Sequence, residues 1–218
     1  MLFWDLDGTI IDVSDKYYNL YKDILDQQGY ESLGKKAYWQ AKREATPENE
    51  ILKLTGAEAF YDKYQDKRIS LIESKNYLSF DKVHEGVFQV LEYLSMRFNL
   101  ILVTLRRSPH QLEKQLEQLS LTQFFADVLC SGEQLYPRWK IKYNLIKDYL
   151  ADNNIPGHFM LGDTEADIIA GNELGLKTIA VLNGIRSERL LLKTNPDIIC
   201  NSAKDLLKPE LINLFDRR

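Results

Sequence analysis

Two aspartates one residue apart, Asp5 and Asp7, interrupt the stretch FWDLDGTI, which otherwise reads as a buried strand. Side chains alternate between the faces of a strand, so both carboxylates point the same way. Two like charges in apolar surroundings are costly unless a cation offsets them. Gly8 then permits a tight turn, and Thr9 follows. A turn with a helix cap accounts for one acid at this place. It does not account for Asp5, which the pattern keeps inside the strand. A second pair stands in LGDTEADIIAG, where Asp163 directly follows the apolar FMLG and Asp167 comes one helical turn later. Thr164 and Asp167 also fit a capping box, so Asp167 has a structural reading beside a functional one. Oxygen ligands with no histidine or cysteine nearby suit a hard cation, and Mg²⁺ is the expected one.

Two further residue types belong with this chemistry. Lys140 and Lys142 open a helix in RWKIKYNLIKDYL, where the helix dipole makes a positive charge mildly unfavourable. A lysine held there could serve an anion, or could be an ordinary surface lysine. Thr104 closes the apolar strand NLILVTLRRS. Its hydroxyl can donate to a phosphate oxygen or cap the next helix, a task that Ser108 before Pro109 performs better. Arg106, shortly after Thr104, could face a substrate anion but reads better as a solvated surface arginine. His84, His110 and His158 are scattered, no GxSxG occurs, and GNELGLKT leads into a strand rather than a helix, which excludes a phosphate-binding loop.

Short, continuously apolar runs deliver these residues: Leu2 to Leu6, Asn99 to Leu105, Ala126 to Cys130, His158 to Asp163, Lys177 to Leu182 and Asp197 to Cys200. Helical patterns fill most gaps after the second run, with Leu112, Leu116 and Leu119 on one face and Tyr143, Ile146, Tyr149 and Leu150 on another. Continuous hydrophobicity marks strands covered on both faces, so the expected class is α/β, a doubly wound parallel sheet of Rossmann-like form. The carboxyl ends of such strands are where ligands bind. Residues 13–81 break the rhythm, being amphipathic, tyrosine-rich and free of strand patterns. They read as an inserted helical domain whose tyrosines form its own small core, leaving 1–12 and 82–218 as the α/β core domain.

With 218 residues, 44% hydrophobic and 28% charged, and a net charge of −4, the composition is that of a globular protein acting on small molecules. Acids and bases are interspersed, which argues against nucleic acid or a membrane surface as partner, and nothing indicates an obligate protein partner. Cys130 and Cys200 lie far apart and outside any CxxC pattern. Asp5 arrives before any apolar stretch long enough for an export signal, so a cytoplasmic location is expected.

The set resembles the haloacid dehalogenase superfamily, in its phosphoglycolate-phosphatase-like branch with a helical cap. DLDGT matches as Asp5 to Thr9, the strand-ending threonine as Thr104, the lysine opening a helix best as Lys142 in KYNLI with Lys140 open, and GDxxxD as Gly162, Asp163 and Asp167. The linker SFDKVHEGV departs by lacking a proline before its glycine. The resemblance implies a Mg²⁺-dependent phosphatase acting on a small phosphate monoester. Asp5 would be the nucleophile that becomes an aspartyl-phosphate, and Asp7 the acid and then the base. Mg²⁺ would be held by Asp5, the main-chain carbonyl of Asp7 and Asp163, with Asp167 orienting the metal shell or the lysine. Gly8, Thr104, Leu105 and Lys142 would surround the phosphate. A dehalogenase is disfavoured, since a departing halide needs no acid at position 7. A phosphomutase of the β-phosphoglucomutase type shares all four motifs, and a receiver-like phospho-acceptor or non-catalytic binding protein is the remaining alternative.

Overall fold

The computed structural model describes residues 1–132 and 137–216. Its strands are β1 (Leu2–Trp4), β2 (Ile11–Asp12), β3 (Lys82–Val83), β4 (Leu100–Thr104), β5 (Asp127–Cys130), β6 (Phe159–Gly162), β7 (Lys177–Val181) and β8 (Ile198–Cys200). Six of them form one sheet in the order β5-β4-β1-β6-β7-β8, and every neighbouring pair is parallel. β2 and β3 pair separately. The chain divides into two compact units, Met1–Asp12 with Val83–Arg218, and Val13–Lys82.

The first unit is the sheet with its helices, α6 (Val87–Ser95), α7 (Pro109–Gln118), α8 (Arg138–Asn153), α9 (Glu165–Glu173), α10 (Glu188–Leu192) and α11 (Pro209–Asp216). Phe3, Ile101, Val103 and Met160 share a sheet face and pack with Ile146 of α8. Their alternating neighbours Leu2, Trp4, Leu100, Leu102 and Leu161 are buried too. Strands buried on both faces are what the continuous apolar runs specify, and the fold is α/β. Ser108 caps α7 as its sequence predicts, its hydroxyl accepting from the Gln111 N–H at 3.3 Å, with Pro109 in the first turn.

One boundary differs from expectation. β1 ends at Trp4, so Asp5 stands one residue beyond it, although its N–H still donates to the Leu161 carbonyl at 2.9 Å. Regular pairing stops because the chain turns away through Gly8, whose φ of +96° lies in the region open to glycine. The two-residue strands β2 and β3 were not expected; they are too short to show a period of two.

The second unit is helical: α1 (Ser14–Asp26), α2 (Lys35–Arg43), α3 (Glu48–Lys53), α4 (Tyr61–Leu71) and α5 (Lys75–Leu78). Its core is aromatic, with Tyr21, Tyr38 and Tyr64 fully buried and the rings of Tyr21 and Tyr38 stacked at 4.3 Å. Lys16 and Asp81, both buried, form an ion pair at 2.8 Å that ties α1 to the end of the unit. Among the described residues, no helix is long and apolar enough to cross a membrane.

Candidate active site

The parallel order β4-β1-β6 sets the carboxyl ends of three strands side by side, and each delivers polar side chains to one edge. β1 leads to Asp5, Asp7 and Thr9; β6 leads to Asp163 and, through the first turn of α9, to Asp167; β4 ends at Thr104. Asp5, Thr9, Thr104, Lys142, Asp163 and Asp167 are all buried. This concentration of charge at the edge of an apolar sheet holds only because the groups compensate one another.

Lys142, in the first turns of α8, donates to both Asp5 Oδ1 and Asp167 Oδ1. Of the two lysines left open by the sequence, Lys140 is exposed and Lys142 is the one brought to the carboxylates. Asp167 holds both of its readings at once. Its Oδ2 accepts from the Thr164 N–H at 3.0 Å and from the Thr164 hydroxyl at 2.7 Å, capping α9, while Oδ1 takes the lysine. Gly162 must be a glycine here, since a β-carbon would overlap the Asp167 side chain. Asp163 accepts from the Ile185 N–H at 2.5 Å and from the Thr9 hydroxyl at 3.1 Å, and Thr9 is also 3.4 Å from Asp5 Oδ2.

Oxygens of Asp5, Asp163 and Asp167 lie within 4.8 Å of one another. Three carboxylates thus meet one ammonium. Burial pushes the Asp5 carboxyl well above the usual range, with the charges of Asp167 and Asp163 adding to it and Lys142 opposing. Burial likewise drives Asp163 up to about 7, helped by Asp167 and resisted by Ile185, Lys142 and Thr9. For Lys142, burial acts against the charge, but Asp167 and Asp5 outweigh it and hold the ammonium above its ordinary value. Raised carboxyls in an oxygen-only cluster show that positive charge is wanted, and the donors fit a hard divalent cation.

One expectation is corrected. The carboxylate cluster consists of Asp5, Asp163 and Asp167, while the carboxylate of Asp7 is gripped by Arg106 through Nε and Nη2, each at 2.6 Å. Arg106 is therefore buried and paired, not a solvated surface residue. Gly8 donates its N–H to the Ile11 carbonyl at 2.8 Å, and a β-carbon there would overlap the Asp163 carboxylate. Thr104 accepts from the Arg106 N–H at 3.3 Å, which leaves its own hydrogen available to a ligand, and Leu105 beside it is half-buried. Thr9, the Ile185 N–H and Arg106 carry site geometry that the sequence did not reveal. For Arg106 a signal existed: a base two residues past Thr104, at the edge that also carries Asp7.

The fold and the family are shared with known proteins. A curated relative, pyrophosphatase PpaX from Halalkalibacterium halodurans, is 24% identical over 214 residues, covering 94% of each chain. Among solved structures, a hydrolase of the haloacid dehalogenase-like family from Streptococcus pneumoniae superposes with a TM-score of 0.77 at 20% identity, covering 94% of this chain and 95% of that one. A protein described as a predicted phosphatase from Clostridium acetobutylicum gives 0.73 at 22% identity, covering 97% of both. The family model described as haloacid dehalogenase-like hydrolase matches residues 2–181. The chain belongs to the haloacid dehalogenase-like hydrolase family.

Proposed function

We propose that the protein is a Mg²⁺-dependent phosphatase that hydrolyses a small phosphate monoester through a covalent intermediate on Asp5. The observation that carries this reading is the buried bridge from Lys142 to Asp5 and Asp167, with Asp163 in the same oxygen cluster. Asp5 is the one member of that cluster on the first strand's exit, where a phosphate at the sheet edge would meet it in line with the departing oxygen.

In the first step Asp5 attacks phosphorus and Asp7 gives a proton to the leaving oxygen; in the second, Asp7 takes a proton from the water that hydrolyses the aspartyl-phosphate. Lys142 and the Thr104 hydroxyl hold the equatorial oxygens, Leu105 lines the phosphate beside them, and Asp167 keeps the lysine aimed. Asp5, Asp163 and the main-chain carbonyl of Asp7 would hold Mg²⁺, which when bound supplies the positive charge that screens the nucleophile from a phosphate dianion. Two free cysteines accord with a reducing, cytoplasmic setting. The relative described as a pyrophosphatase makes pyrophosphate a substrate to try beside phosphoglycolate and sugar phosphates.

The test is hydrolysis of an aryl phosphate with Mg²⁺. Wild-type protein should release inorganic phosphate to water, which separates a phosphatase from a mutase. Asp5→Asn should fall to background while still binding a phosphate analogue. A variant turning over at the wild-type rate would show that the nucleophile lies elsewhere.

A further inference from the structure

Asp7 lies past the end of β1, in the turn that Gly8 and Ile11 close, where an isolated bridge to Ile11 holds its backbone. Arg106, two residues past the end of the neighbouring strand β4, supplies a fixture for that side chain. Its guanidinium meets both carboxylate oxygens, Nε to Oδ2 and Nη2 to Oδ1, each at 2.6 Å. A two-pronged contact sets the plane of the carboxylate as well as its position, which a point-like ammonium cannot do. The arginine is itself anchored: its N–H donates to the Thr104 hydroxyl at 3.3 Å, and its carbonyl accepts from the Cys130 thiol at 2.8 Å and the Ser131 hydroxyl at 3.4 Å. Its side chain is 6% exposed and that of Asp7 is 18% exposed, so the aspartate is the more open member of the pair.

We propose that Arg106 is a positioning residue for Asp7 in the water-activating half of the reaction, its fork holding the carboxylate toward the attacking water. The inference rests on the reading of Asp5 as nucleophile and Asp7 as base. In that half-reaction a water oxygen bonds to phosphorus and the phosphorus–oxygen bond to Asp5 breaks, its electron pair returning to the carboxylate. The proton lost by water passes to Asp7, and inorganic phosphate leaves. A carboxylate oxygen has two lone-pair sites, so accepting from a guanidinium does not in itself prevent it from taking up a proton. Thr104 links the two halves of the site, because the hydroxyl assigned to the phosphate also holds the arginine backbone.

An aryl phosphate isolates this step, since its leaving group departs without a proton. With Arg106→Gln, kcat should fall about tenfold or more, a fraction of what a general base contributes. KM should fall in parallel, so that kcat/KM changes little, and phosphorylated Asp5 should accumulate in acid-quenched samples. Arg106→Lys keeps the charge but not the fork, should show the same pattern to a smaller degree, and decides the matter if the glutamine variant misfolds. A raised KM with lowered kcat/KM would mean that the arginine serves substrate instead. A loss of kcat with unchanged KM and no phosphoprotein would mean a structural role; either result overturns the proposal. Asp7→Asn is the control. If it too builds up no phosphoprotein, the role given to Asp7 fails; if it does and the Arg106 variants do not, only the inference about Arg106 fails.

Discussion

Replacing Asp163 with asparagine should stabilise the metal-free protein and abolish its response to Mg²⁺. Asp163 is fully buried, and its carboxyl is raised to about 7, first by burial and then by the charge of Asp167. A carboxyl raised above its ordinary value of 3.8 favours the native state only while protonated, so its contribution is complete below that value and is lost as pH rises through about 7. The difference of about 3.2 units corresponds to roughly 4 kcal/mol against the native state at pH 8, at 1.36 kcal/mol per unit. Asp5 shares this repulsion, and the amide keeps an acceptor for Ile185 and a partner for Thr9, so neutralising Asp163 should return about 1–3 kcal/mol of it. For a chain of this size that is a rise in Tm of roughly 2–12 °C. Thermal melts at pH 8 in chelator, then in millimolar Mg²⁺, read both effects: wild type should start lower and gain from the metal, whereas Asp163→Asn should start higher, gain little and hydrolyse nothing. A variant less stable than wild type in chelator, or one with the same Mg²⁺ shift, would refute the crowded-carboxylate argument. The same reasoning requires metal-free wild type to lose stability steadily as pH rises from about 4 to 7, which melts across that range would show.

Lys142→Ala should lower turnover by about a hundredfold or more, because it removes the ammonium shared by Asp5 and Asp167, while Lys140→Ala at an exposed site should stay within about twofold; steady-state kinetics of the two decide it. Equal, mild losses would mean that neither lysine faces phosphate. Gly8→Ala combines a left-handed backbone with a β-carbon overlapping the Asp163 carboxylate, so a loss of about 2 kcal/mol or more in denaturant unfolding is expected, with loss of activity.

The α/β class was legible because buried parallel strands leave a mark that survives in one dimension: LILV and FMLG have no polar alternate positions, since both faces of the sheet are covered. The motif acids were legible for the opposite reason. Charge at the end of such a run is too costly to be incidental, which drew attention to Asp5 and Asp163 at once. The tyrosine stripe of residues 13–81 announced a core of its own in the same way.

Whatever depended on two distant segments meeting could not be read from either one. Lys140 and Lys142 differ by two positions on one helix, and only the packing of α8 buries one among carboxylates and leaves the other in water. Asp167 looked like either a cap or a ligand because its two oxygens do separate work, which a sequence pattern cannot divide. Arg106 resembled a surface arginine until the strand order set β4 beside β1 and brought its fork onto Asp7. The sequence by itself determined which residues are chemically out of place in a buried sheet. The tertiary structure decided which of them compensate one another, because Coulomb and hydrogen-bond energies depend on distances that strand order and helix docking set, and neighbours in the chain do not.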